Sequence, residues 1–174
     1  MRLRPMTPAD IALLEYWDTK PHVAAAGGDD DWFDWPVELA QDPPWREMLI
    51  AEVDGRPIGA LQIIDAAEEE THYWGDIGPG FRAIDIWIGE EADLSRGFGS
   101  QMIRLAIERC FADPRTLAVL IDPLASNTRA HRFYERCGFK RVGPRTFGED
   151  ACIVYRMDRA DWEGPRSGPR ASTG

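Results

Sequence analysis

Cysteine is scarce in this 174-residue chain, which has only Cys110, Cys137 and Cys152. An odd number of thiols without metal-ligand spacing supports neither a disulfide framework nor a zinc site, and fits reduced thiols in a cytoplasm. Long hydrophobic runs are missing too. No stretch approaches the roughly 20 apolar residues that cross a bilayer, and no signal peptide opens the chain, so a soluble, cytoplasmic protein with no membrane partner is expected. Basic charge is in deficit: 20 Lys and Arg against 30 Asp and Glu give a formal net charge of −10. Such a surface repels nucleic acid, so no nucleic-acid partner is expected. It serves solubility alone, or it steers a cationic ligand into a negative cleft. His22, His72 and His131 form neither a triad nor a metal motif, and His131, one turn before Glu135, reads as a surface helix residue.

What is present reads as one globular domain over residues 1–162, followed by a Pro/Gly/Ser-rich tail, 163–174, with no apolar face and expected to be disordered. A short strand, MRLRPM, precedes a helix announced by Thr7 as N-cap and Pro8 at its first position. Two β-rich runs flank Asp54-Gly55, a strong hairpin signal. The next strand, GFRAIDIWIGE, puts Ala83, Asp85 and Trp87 on one face and Ile84, Ile86 and Ile88 on the other. A glycine turn and helix follow, then the strand TLAVLID, a capped helix ending at Gly138, and two closing strands. Two stretches, GGDDDWFDW and AAEEETHYWGD, mix carboxylates with aromatics. Each is a solvated loop or a wall for a bulky ammonium ligand.

The turn ADLSRGFGSQMIRLAIERCF raises the question of a phosphate cradle. Gly97 and Gly99 let a ligand approach the main chain, and the helix behind them offers unpaired N–H groups to an anion. An ordinary helix start would look the same. No Gly-Lys-Ser/Thr follows and a third glycine is lacking, so this is neither a Walker loop nor a Rossmann fingerprint.

The order strand, glycine turn, helix, strand, then NTRAHRFYERCGF, resembles the acetyl-CoA-binding core of the GNAT superfamily of N-acetyltransferases. Around it, VDGRPIGALQ, GFRAIDIWIGE and LIDPLASNTRAHRFYERCGF are similar to segments of the aminoglycoside 6'-N-acetyltransferases, a layout shared with siderophore-type lysine acyltransferases. The resemblance implies an α/β (α+β) GNAT fold, with a mixed, mostly antiparallel sheet of about seven strands flanked by helices. It implies acetyl-CoA as cosubstrate, no metal, and a small cationic amine, foremost an aminoglycoside 6'-amine, acetylated by direct attack in a ternary complex. A siderophore precursor or polyamine-like metabolite is the alternative substrate, and a non-catalytic acyl-CoA sensor the alternative function. A monomer or homodimer is expected. The family's two aromatics before the paired glycines are Ala25 and Ala26 here, so that part of the wall is either absent or supplied by Trp32 and Trp35 instead, and Ile86 stands where a glutamine is usual.

Carried over residue by residue, the resemblance assigns the pyrophosphate to the main chain of Ser95, Arg96, Gly97, Phe98, Gly99 and Ser100, although Leu94 and Ser95 depart from the usual motif. Asn127 and Tyr134 would lie along the pantetheine arm. Backbone N–H groups at Ile86, Trp87 and Ile88 would face the thioester carbonyl. Asp85 is the expected base for the ammonium proton; as a strand aspartate it could equally pair with an arginine. Asp122, at a strand end before Pro123, would bind substrate ammonium, with Glu70, Tyr73 and Trp74 beside it. Tyr134, two helical turns after Asn127, would protonate the leaving thiolate, or is a core aromatic. Direct transfer needs no acyl-enzyme, so Cys137 has no nucleophilic role.

Overall fold

A computed structural model describes residues 1–27 and 33–164. Trp32 and all but the start of the tail lie outside the described residues. The strands are β1 (Arg2–Pro5), β2 (Arg46–Val53), β3 (Arg56–Asp65), β4 (Phe81–Ile88), β5 (Ala118–Ile121), β6 (Lys140–Phe147) and β7 (Asp150–Asp158). The helices are α1 (Ile11–Asp18), α2 (Pro21–Ala24), α3 (Trp35–Gln41), α4 (Phe98–Ala112), α5 (Thr128–Arg136) and α6 (Arg159–Glu163). One seven-stranded sheet runs β1-β2-β3-β4-β5-β7-β6. Every pairing is antiparallel except β4 with β5. The mixed, mostly antiparallel architecture expected from the sequence is therefore the one observed.

Local chemistry explains the elements. Thr7 donates from its N–H and hydroxyl to the Asp10 carboxylate at 2.9 and 3.0 Å, starting the 3-10 turn that leads into α1. Asp54 and Gly55 both have positive φ, 50° and 78°, as a type I′ turn between β2 and β3 requires. Helix α4 is amphipathic and buries Met102, Ile103, Ala106, Ile107, Cys110 and Phe111 against the sheet. Met102, Ile103, Ile107 and Phe111 each contribute about 1.5–3 kcal/mol of transfer free energy on burial. The opposite face carries two smaller clusters, one around Trp74, Ala83 and Leu120, the other around Trp17, Trp35 and Ala60.

The feature that positions a site is the divergence of β4 from β5. Their pairing is Phe81↔Ala118, Arg82↔Val119 and Ala83↔Leu120, and there it stops. Strand β5 ends at Ile121, followed by Asp122 and Pro123, and proline has no N–H with which to continue a ladder. Strand β4 continues to Ile88. A wedge between parallel strands results, open towards the C-terminal ends of both.

Candidate active site

Hydrogen bonding along β4 shows which peptide groups line the wedge. Phe81 accepts from Ala66 and Gly89 donates to Ile58, both on the β3 side, at 3.1 and 3.0 Å. Alternation then turns the peptide groups of Ala83, Asp85 and Trp87 towards β3 and those of Ile86 and Ile88 towards the wedge. The carbonyl of Ile88 meets His22 Nε2 at 2.9 Å on that side. Of the three residues expected to offer N–H groups, Trp87 thus faces the neighbouring strand, and Ile86 and Ile88 face the gap. Gly89 has no room for a side chain: an added Cβ would lie 2.0 Å from the buried Trp17 ring, so α1 presses directly on the end of β4.

At the mouth of the wedge the 92–100 loop bends through Ser95 and Gly97, with φ of 62° and 83°. Gly97 is the N-cap of α4, and among the described residues no side chain caps the helix. The N–H groups of Phe98, Gly99 and Ser100 are left without intrahelical partners at the positive end of a fifteen-residue helix. The loop is pinned from beneath by Asp93, whose side chain is 3% exposed and takes two bonds from Arg56, at 2.6 and 3.0 Å, and one from Arg96 at 3.0 Å. Arg56, then burial and Arg96, set the Asp93 carboxyl's balance, which falls below the usual carboxylate range. Arg129 reaches Ser95 Oγ at 3.2 Å from α5. A Cβ on Gly99 would come within 3.4 Å of Phe133, and one on Gly97 would meet nothing, so Gly97 is required by its φ rather than by space.

Asp85, Asp122 and Tyr134 come together where the wedge opens. Tyr134 is 8% exposed, packed among Phe133, Phe139 and Tyr155. Burial, then the charges of Asp85 and Asp122, push its phenol up, which places both carboxylates within electrostatic reach of the hydroxyl. That group therefore stays protonated across the working pH range. Gln62, directly opposite Asp85 on β3, donates from Nε2 to Asp85 Oδ2 at 2.6 Å. Asp122 accepts from the Tyr73 hydroxyl at 2.6 Å, and burial together with that carboxylate raises the Tyr73 phenol. The Tyr73 ring stacks on Phe147 at 4.3 Å, with Arg145 over the other ring of the pair.

Other residues take different places from those expected. Trp74 is 5% exposed and backs Tyr73 edge-on, so it supports the wall instead of forming its surface. Glu70 is exposed and approaches Trp45 Nε1 at 3.5 Å, at the end of β3 away from the wedge. Its neighbour Glu69 is the organising carboxylate of that loop. Burial opposes its ionisation, yet N–H donors from Tyr73 and Thr71 and the Thr71 hydroxyl hold it below the usual range. Asn127 caps α5 by accepting from the Ala130 N–H at 3.0 Å, which leaves its amide NH2 for other partners. Trp35 is core, 1% exposed and bonded to Asp18 at 2.6 Å. Phe33 stacks on it and the part-buried Trp87 lies tilted beside it, so the partly exposed aromatics there are Phe33 and Trp87 rather than Trp35. His131 is half-buried rather than on the surface, stacked on Tyr155 with Nε2 3.2 Å from the Ala125 carbonyl. Among the described residues no group of His, Cys, Asp and Glu could hold a metal ion, and no helix is long and apolar enough to cross a membrane.

Known proteins resemble this chain in sequence and in fold. The model of the acetyltransferase (GNAT) domain family matches residues 7–147. The chain is 31% identical to an aminoglycoside N(6')-acetyltransferase type 1 of Klebsiella pneumoniae, over 95% of this chain and 86% of that protein. A lysine N-acyltransferase, MbtK, of Mycobacterium tuberculosis is 28% identical over 90% of this chain and 76% of its own length. Among solved structures, aminoglycoside acetyltransferase AAC(6')-Ib in complex with coenzyme A and kanamycin superposes with a TM-score of 0.84 at 32% identity, covering 95% of this chain and 98% of that one. With its sheet order, its wedge and this similarity over most of its length, the chain belongs to the GNAT family of N-acetyltransferases.

Proposed function

We propose that the protein transfers an acetyl group from acetyl-CoA to a primary amine of a multiply charged cationic substrate, the 6'-amine of an aminoglycoside, by direct attack in a ternary complex. The observation that carries the reading is the convergence of Asp85, Asp122 and the buried Tyr134 hydroxyl at the open end of the β4–β5 wedge. The cradle fits the cosubstrate's pyrophosphate, because a positive-φ turn leads into a helix start that, among the described residues, no side chain caps. Acetyl-CoA supplies the electrophilic thioester.

The rest is the work of this chain's residues. Asp122 and Asp85 attract the ammonium groups, and Asp85, directly or through water, accepts the proton that frees the attacking nitrogen. The N–H groups of Ile86 and Ile88 donate to the carbonyl oxygen as it gains charge. As the N–C bond forms and the C–S bond breaks, Tyr134 gives its proton to the departing sulfur. The lysine N-acyltransferase relative, together with Ala25 and Ala26 in place of aromatics, favours a second reading in which the amine belongs to a lysine-derived metabolite. A panel of kanamycin-type aminoglycosides, linear polyamines and hydroxylated lysines, assayed with acetyl-CoA by release of free thiol, decides between them. Aminoglycosides should give the highest kcat/KM; preference for a hydroxylated lysine would transfer the assignment to the second reading.

A further inference from the structure

We infer that Gln62 is a positioning residue for Asp85, holding the carboxylate ionised and turned to the amine. This rests on the reading of Asp85 as the group that faces the substrate amine. Gln62 is 7% exposed in the middle of β3, in direct cross-strand register with Asp85, so both side chains stand on the same face of the sheet. An ionised carboxylate can only accept, so the 2.6 Å contact fixes the amide: Nε2 points to Asp85 Oδ2 and Oε1 is turned away. Oε1 is buried and has no hydrogen-bond partner among the described residues. A buried acceptor left unpaired costs on the order of 1–3 kcal/mol, a cost the fold could avoid with an apolar residue at this position. The amide is consistent with the site rather than with the core. It gives Asp85 one donor, and its own carbonyl oxygen stays turned away from the carboxylate.

The groups facing Asp85 from other elements set the electrostatic need for that donor. Asp122 follows β5, Tyr73 comes from the β3–β4 loop and Tyr134 from α5, and both phenols feel the Asp85 charge. A neutral donor from β3 favours the ionised carboxylate without adding a cation that would repel the substrate.

The test is a 13C titration of the Asp85 carboxyl, assigned by its disappearance in Asp85→Asn, in the wild type, Gln62→Met and the near-isosteric Gln62→Glu, alongside thiol-release kinetics. Gln62→Met should raise the Asp85 midpoint above that of the wild type by about one unit, the effect of losing one hydrogen bond to the charged form. Gln62→Glu should give two coupled steps, one strongly raised, because adjacent carboxylates cannot both ionise easily. Both variants should lose kcat/KM for the amine about ten-fold or more at neutral pH, with the KM for acetyl-CoA unchanged. An Asp85 midpoint equal to the wild type in both variants would overturn the positioning role, whatever happens to activity. An Asp85→Asn enzyme with wild-type turnover would instead overturn the reading of Asp85, a result separable from the first.

Discussion

Replacing Tyr134 by Phe removes one oxygen and leaves the ring among Phe133, Phe139 and Tyr155, at centroid distances of 5.0, 5.9 and 6.4 Å. The ring packing is kept and only the hydroxyl is lost, so stability should change by no more than about 1 kcal/mol. A large kinetic effect therefore cannot be attributed to unfolding. General acid catalysis is worth roughly 10²–10⁴-fold, so a loss of about 10² in kcat corresponds to about 2.7 kcal/mol of barrier. Steady-state thiol release gives kcat and both Michaelis constants, and thermal unfolding controls for the fold. Because burial and the two carboxylates push the phenol above its usual value, it remains protonated and able to donate up to and beyond pH 9 or so. The ratio of wild-type to variant turnover should accordingly be constant from neutral pH to that limit. A Tyr134→Phe enzyme with full turnover would return Tyr134 to the core and remove the acid from the mechanism.

Gly97→Val places a β-branched residue at φ 83° with no atom within 4 Å of its Cβ, so its cost of about 1–2 kcal/mol is conformational; calorimetry should show acetyl-CoA affinity reduced at least ten-fold or so, and unchanged affinity would refute the cradle. Asp85→Asn should act mainly on kcat and Asp122→Asn mainly on the KM for a polycationic amine; identical defects would deny the division of labour. Asp93→Asn should destabilise the fold by about 2 kcal/mol at neutral pH, as charge-assisted bonds from Arg56 and Arg96 are lost. Since the folded carboxyl lies below its unfolded value, that stabilisation is present above the unfolded value and fades as pH falls through the folded one, so denaturation curves of the two proteins should converge in acid.

The sequence was most legible where one local rule decides the outcome. Asp54-Gly55 makes its turn, Thr7 and Asp10 start the first helix, and strict alternation in GFRAIDIWIGE separates the Asp85 face from the isoleucine face. The motif NTRAHRFYERCGF likewise places Tyr134 on the buried side of α5. What stayed hidden depends on pairings between distant segments. Gln62 gains meaning only from the register of β3 against β4, which the strand alternation leaves open by one residue. The choice between Glu69 and Glu70 turns on loop N–H groups that composition does not reveal. Trp35 looked like an exposed aromatic in an acidic stretch, but Asp18, from another helix, satisfies its indole N–H and permits burial. The wedge is the deepest such case, since it arises from the early end of β5 beside a longer β4.

One consequence ties the charge of the substrate to the chemistry proposed. Burial first, and then the charges of Asp85 and Asp122, oppose ionisation of the Tyr134 phenol. An ammonium group seated at each carboxylate offsets those charges, and offsetting one nearby charge moves a pKa by roughly a unit or more. If Tyr134 is the acid, it should be stronger with a polycation at the two carboxylates than with a neutral acceptor. A monoamine fills one carboxylate and gains half the benefit; a neutral acceptor gains none. Tyr134→Phe should therefore cost more turnover with a tri- or tetra-ammonium substrate than with a monoamine of matched basicity, and the gap should narrow in Asp122→Asn. Equal losses across the two substrates, measured at saturation so that binding drops out, would show that the carboxylates recruit the amine without tuning the acid.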